Sequence, residues 1–115
     1  MNPLKFAECL RDVQRYLEER HEVKSAIVYG SVALGTARTD SDIDLMIVAP
    51  RDRHDELARD LYRIGGRYDV TVSPYLVERT GLESLDPQFL EAVARDDIVL
   101  KGKRRAFTVW LQPSD

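Results

Sequence analysis

The six residues Ile43 to Val48, reading Ile-Asp-Leu-Met-Ile-Val, constrain this chain more than any other stretch. The apolar run they begin, Leu45 to Ala49, is the longest in the sequence and is closed by Pro50. So continuous a set of branched residues leaves no polar face along most of its length, and it reads as a largely buried strand. It nevertheless opens on two carboxylates, Asp42 and Asp44. Residues i and i+2 of a strand share a face, with Cα atoms about 6.5–7 Å apart, so both carboxylates project together while Ile43 faces the other way. Two like charges at the mouth of a buried strand repel each other and lose hydration, an arrangement that calls for a cation.

The rest of the chain reads as strands alternating with helices. From Pro3 to about Arg20, Phe6, Leu10, Val13 and Leu17 recur at helical spacing and line one face. Val23 to Tyr29 reads as a first strand that stops at Gly30-Ser31, with a helical turn or two near Val32 to Ala37. Leu57, Leu61 and Ile64 mark a helix over Arg51 to Ile64, and Gly65-Gly66 is expected to end it by supplying the left-handed conformation. A third strand is expected over Arg67 to Val72. Asp86-Pro87 reads as an N-cap with proline at the first helical position, opening a helix to about Arg95, and Ile98 to Leu100 as a short final strand. In the tail, Phe107, Val109 and Leu111 alternate with Thr108, Trp110 and Gln112, as in an edge strand or a segment ordered against a partner. The expectation is a single α/β (α+β) domain over residues 1–115, a mixed sheet flanked by helices, with a partner-ordered tail at about 103–115.

Composition removes several classes of function. Seventeen basic against twenty acidic residues give a net charge of -3, which argues against binding nucleic acid through the overall field. Cys9 is the only cysteine, so neither an internal disulfide nor a cysteine-rich zinc cluster can form. No apolar run approaches the roughly 20 residues of a membrane helix, and charges interrupt the N-terminal segment, so a cytoplasmic location and no membrane partner are expected.

Two further features join the Asp-Ile-Asp pair. Asp69 is expected near the start of the third strand, where it can complete a trio with Asp42 and Asp44 if those strands are neighbours. Hard divalent cations bound by oxygen, above all Mg²⁺, suit such a set. Gly30-Ser31 lies at a strand-to-helix junction, where free N–H groups and the serine hydroxyl form a cradle for phosphate oxygens. A phosphate cradle beside an acidic metal site suits chemistry on a nucleoside triphosphate.

The string YGSVALGTARTDSDIDLMIV, with Gly30-Ser31 ten residues ahead of Asp42-Ile43-Asp44, resembles the signature of the DNA polymerase β-like nucleotidyltransferase superfamily. Length and Asp69 make the chain similar to its short branch, the minimal nucleotidyltransferases, and FLEAVARDDIVLKG resembles that branch's C-terminus. The resemblance implies Gly30 and Ser31 on the β- and γ-phosphates, Asp42 and Asp44 on two Mg²⁺ ions, and Asp69 on the catalytic ion alone, helping to take the proton from the attacking hydroxyl. It also implies an antitoxin that transfers AMP from ATP to a tyrosine of a HEPN-domain toxin. A chain of 115 residues has little room for an acceptor-binding domain, which fits an acceptor carried by another protein.

Other sites and functions fit these residues less well. An EF-hand beginning at Asp40 fails because its sixth position is Leu45 and its twelfth Arg51. His21 and His54 lack ligand spacing and read as surface residues, Arg38 as a solvated arginine, and Lys101, Lys103, Arg104 and Arg105 as a solvated basic edge. Two rival functions stay open: a non-catalytic binding module that neutralises its partner by occupancy, and a small-molecule (antibiotic) nucleotidyltransferase, for which a chain this short would build its acceptor pocket by self-association as a homo-oligomer.

Overall fold

A computed structural model describes residues 4–95 and 97–102. The first helix, α1 (Leu4–Glu18), buries Phe6, Cys9, Val13 and Leu17, four residues on one face. Strand β1 (Ser25–Tyr29) runs directly into the short helix α2 (Gly30–Leu34), and a turn leads to β2 (Ile43–Val48). A 3₁₀ turn at Arg51–Arg53 opens α3 (His54–Gly66), followed by β3 (Val72–Val77), a second 3₁₀ segment at Arg79–Ser84, α4 (Pro87–Arg95) and β4 (Ile98–Lys101). Asp86 caps α4 as its sequence position implies, accepting the Gln88 N–H at 2.9 Å.

The four strands form one mixed sheet in the order β3-β2-β1-β4, with β2 and β3 parallel and the other pairs antiparallel. The expected architecture, a mixed sheet with flanking helices, is the observed one. One face carries Ala26, Val28, Ile43, Leu45, Ile47 and Val72, packed in one core with the apolar faces of α1 and α3. The opposite face carries Ile27, Met46, Val48 and Val77, against which Phe89 and Val93 of α4 pack. Among the described residues no helix is long and apolar enough to cross a membrane.

The segment between α3 and β3 departs from expectation. Gly65 and Gly66 belong to α3, and the left-handed residue is Asp69, at φ 57°. Gly65 is needed for a different reason: the chain doubles back so tightly that a Cβ there would lie 2.3 Å from the Val70 carbonyl oxygen. Tyr68 and Val70 both donate their N–H groups to the Gly65 carbonyl, which closes the turn. The third strand therefore begins at Val72 and not at Arg67, and Asp69 lies in the turn ahead of it. Pro74 sits within β3, which is tolerated because β3 is an edge strand.

The basic segment also differs where it is described. Lys101 is no solvated edge: its ammonium donates to the Leu17 carbonyl at 2.7 Å and to the Arg20 carbonyl, tying β4 to the C-terminal end of α1. Burial there pulls its pKa down, against the upward pull of Glu22 and Glu18. Lys103, Arg104, Arg105 and the alternating tail lie outside the described residues.

Candidate active site

The site is built where β1, β2 and β3 lie side by side. Register pairs Tyr29 of β1 with Asp44 of β2, and Asp44 with Ser73 of β3. These three residues share a face, and strand alternation places Asp42 and Met46 on it as well. It is the face covered farther along by α4. Asp42 is exposed and Asp44 half-buried, whereas Ile43 between them is fully buried on the other face. The two carboxylates thus share one side of the sheet, as their spacing requires.

Gly30 brings α2 against them. It follows β1 at φ 76°, and a Cβ there would stand 2.5 Å from Asp44 Oδ2. Both the left-handed backbone and the close approach demand glycine. Ser31 is the next residue of α2, half-buried, one position from this contact. The structure therefore gathers Gly30, Ser31, Asp42 and Asp44. The turn between α2 and β2 is tight: the Arg38 N–H donates to Ser41 Oγ at 2.7 Å, and the Ser41 N–H to the Arg38 carbonyl at 3.0 Å.

Asp69 is not brought to the pair. Its turn precedes β3, its carboxylate is exposed, and its backbone carbonyl accepts a long bond of 3.4 Å from Lys5, whose ammonium also reaches the Thr39 carbonyl at 2.7 Å. Among the described residues, no three His, Cys, Asp or Glu side chains are grouped to hold a metal ion.

Electrostatics mark the pair as a place for positive charge. Partial burial, and secondarily the neighbouring Asp42 charge, push the Asp44 carboxyl above its ordinary range. No Lys, Arg or His among the described residues forms an ion pair with either carboxylate. Two carboxylates with open lone pairs fit Mg²⁺, which is commonly bound by one or two protein carboxylates and completed by substrate phosphates. The donor set fits the ion without a third carboxylate.

Several neighbours were not legible as site residues. Ser73 Oγ donates to Asp42 Oδ2 at 3.1 Å. The Tyr29 ring meets Phe89 edge-on at 5.8 Å, and Tyr75 lies 6.2 Å from the same ring, forming an aromatic wall beside Asp44. Burial, the Asp44 charge and Tyr75 raise the Tyr29 phenol's pKa, so it stays un-ionised. Only the pairing of β1, β2 and β3 reveals these neighbours. The remaining readings concern bystanders: His21 is exposed beside Glu22, the His54 ring bonds the Ala49 carbonyl at 2.9 Å, and buried Cys9 has its thiol pushed up to about 11 by desolvation and by Asp12.

Comparison with known proteins agrees with this fold. A family model described as Nucleotidyltransferase domain matches residues 10–103. The curated "Putative protein adenylyltransferase MJ1305" of Methanocaldococcus jannaschii is 38% identical over 71 residues, covering 55% of this chain and 48% of that protein. The chain thus spans about half the length of this curated relative. A crystal structure of a toxin–antitoxin with AMP-PNP aligns over 96% of this chain and 82% of its own, with TM-score 0.56 and 22% identity. A mutant MntA-HpeT toxin–antitoxin structure aligns over the same shares, with TM-score 0.55 and 19% identity. At such identities the two structures speak for a shared fold. The match over residues 10–103 takes in the whole sheet and the carboxylate pair, and the chain belongs to the nucleotidyltransferase domain family.

Proposed function

We propose that this chain transfers AMP from ATP to a hydroxyl group of a partner protein, a tyrosine of a HEPN-domain toxin, and so acts as its antitoxin in the cytoplasm. The observation that carries the reading is the packing of Gly30 against Asp44 on the face that also presents Asp42. It brings the Gly30–Ser31 junction against Asp44, beside Asp42, and among the described residues neither carboxylate forms an ion pair. The printed names of the relatives, a protein adenylyltransferase and a toxin–antitoxin structure with AMP-PNP, support the donor and the setting.

In this mechanism the Gly30–Ser31 backbone and the Ser31 hydroxyl hold the β- and γ-phosphates. Asp42 and Asp44 would hold Mg²⁺, which when bound neutralises the triphosphate and favours in-line displacement. The acceptor hydroxyl attacks the α-phosphorus and gives up its proton to a carboxylate on this face, a new P–O bond forms, and the bond to pyrophosphate breaks. Asp44, half-buried and flanked by Tyr29 and Ser73, is the more rigidly placed of the two carboxylates. Asp69 is left out of the metal set because its turn does not deliver it to the pair. Added AMP brings a negative charge and bulk to the acceptor, enough to disable a site that binds RNA phosphates.

The placement of Asp69 favours a second reading, in which the same fold neutralises its partner by occupancy without transfer. One experiment separates the two. The chain is incubated with its genetic neighbour, Mg²⁺ and ATP labelled at the α-phosphate, and the neighbour is examined by mass spectrometry. An added AMP that is lost in Asp42→Asn with Asp44→Asn supports transfer. Neutralisation that survives in the double variant, without added AMP, supports occupancy.

A further inference from the structure

We propose that Ser73, and not Asp69, is the β3 member of the active site: its hydroxyl positions Asp42 for the metal. The inference rests on the nucleotidyl-transfer reading and deepens it.

Three observations converge on Ser73. First, the register places it opposite Asp44, so its side chain emerges on the carboxylate face. Second, its Oγ–H donates to Asp42 Oδ2 at 3.1 Å. A carboxylate has room for about four acceptor interactions, so this bond selects one orientation of the Asp42 head group and leaves Oδ1 free to bind a cation. Third, Ser73 precedes Pro74, and a residue before proline is confined to extended backbone, which favours the strand conformation that puts its side chain on the carboxylate face. Asp69, by contrast, sits in a left-handed turn outside the strand.

Asp42 needs such a partner more than Asp44 does. Asp44 is half-buried between two strands and pressed against Gly30, whereas Asp42 is exposed one residue ahead of β2. An exposed aspartate samples several rotamers, and binding a small cation demands one of them. Hydrogen bonds that orient a metal ligand in this way typically change metal affinity by about 10-fold to 100-fold. The Ser73 bond lies at an exposed site, which puts its expected effect at the lower end.

The test is a calorimetric titration of Mn²⁺·AMP-PNP into the full chain, beside thermal unfolding of the metal-free protein. Ser73→Ala is expected to weaken binding about 10-fold with an unchanged melting temperature, and Ser73→Thr, which keeps the hydroxyl, to restore it. Asp42→Asn is expected to abolish binding, and Asp69→Asn to leave it near the wild-type value. Wild-type affinity in Ser73→Ala, or a loss in Asp69→Asn as deep as that in Asp42→Asn, overturns the role of Ser73 while the transfer reading stands. A loss in Ser73→Ala that Ser73→Thr does not restore overturns it as well. A wild-type chain that binds no Mn²⁺·AMP-PNP overturns the metal reading and this inference together.

Discussion

The two faces of the sheet solve opposite problems with alternate residues of the same strand. On one face Ile43, Leu45 and Ile47 are fully buried in a single core with α1 and α3. On the other, Asp42 is exposed and Asp44 half-buried, and only from Met46 onward does the strand return to an apolar environment. The first face is apolar throughout, and the second gives up burial at one end to hold charge. Chemistry and stability are thus separated by a rotation of 180° per residue, so substitutions one position apart should have effects of different kinds.

The largest expected effect lies on the charged face. Asp42→Asn with Asp44→Asn should lower AMP transfer by about 1,000-fold, the scale on which loss of preorganised charge stabilisation acts. The metal-free double variant should melt at or above the wild-type temperature, as checked by transfer assay and thermal scan on one preparation. Leu45→Ala, one residue away, should do the reverse. Emptying a fully buried leucine site costs about 2–5 kcal/mol of stability, read by urea unfolding, with transfer per folded molecule retained. Activity loss without destabilisation at Leu45, or collapse of the fold at the aspartates, would break the contrast.

Gly30→Ala should fall between them because it touches both problems. The left-handed backbone costs roughly 1–2 kcal/mol for alanine, and the new Cβ must displace Asp44, so stability and transfer should fall together.

A smaller effect appears in the pH dependence. Burial and Asp42 raise the Asp44 pKa in the fold, so folding favours its neutral form. That stabilising contribution is complete below the unfolded carboxylate value of about 3.9 and is lost as pH rises through the folded value. In chelator, the melting temperature of Asp44→Asn relative to wild type should therefore rise between acid and neutral pH, and Mg²⁺ with AMP-PNP should reverse the difference. A gap independent of pH would show that Asp44 carries no such penalty.

How much of this was legible in the sequence depended on the range of the interactions involved. The helical spacing of Phe6, Val13 and Leu17, the carboxylate alternation into β2 and the Asp86 cap are local patterns, and each appears where the local rule puts it. The turn before β3 is not local in the same sense. Gly65-Gly66 has the composition of a helix terminator, but Gly65 answers to the returning Val70 carbonyl, and Asp69 takes the left-handed position that aspartate tolerates better than most residues. That shift moved the strand start from Arg67 to Val72 and carried Asp69 away from the pair. Ser73 was invisible for the same reason, since nothing within β3 announces which residue of β2 it faces. Lys101, grouped by composition with a basic run, is assigned by contacts more than eighty positions away in sequence.

Pro74 bears on how anything else can approach the molecule. The Ile43 N–H bonds the Thr71 carbonyl at 2.9 Å and the Ala49 N–H bonds the Val77 carbonyl at 3.0 Å, so Ser73, Tyr75 and Val77 turn their backbone groups inward to β2. Val72, Pro74 and Leu76 then turn theirs outward, and the middle one has no N–H to offer. A visiting strand would meet a gap at the centre of this margin, and the opposite margin, β4, is only four residues long. Among the described residues both margins thereby resist the addition of a further strand, and recognition is left to side chains and helices, beginning with those that border Asp42.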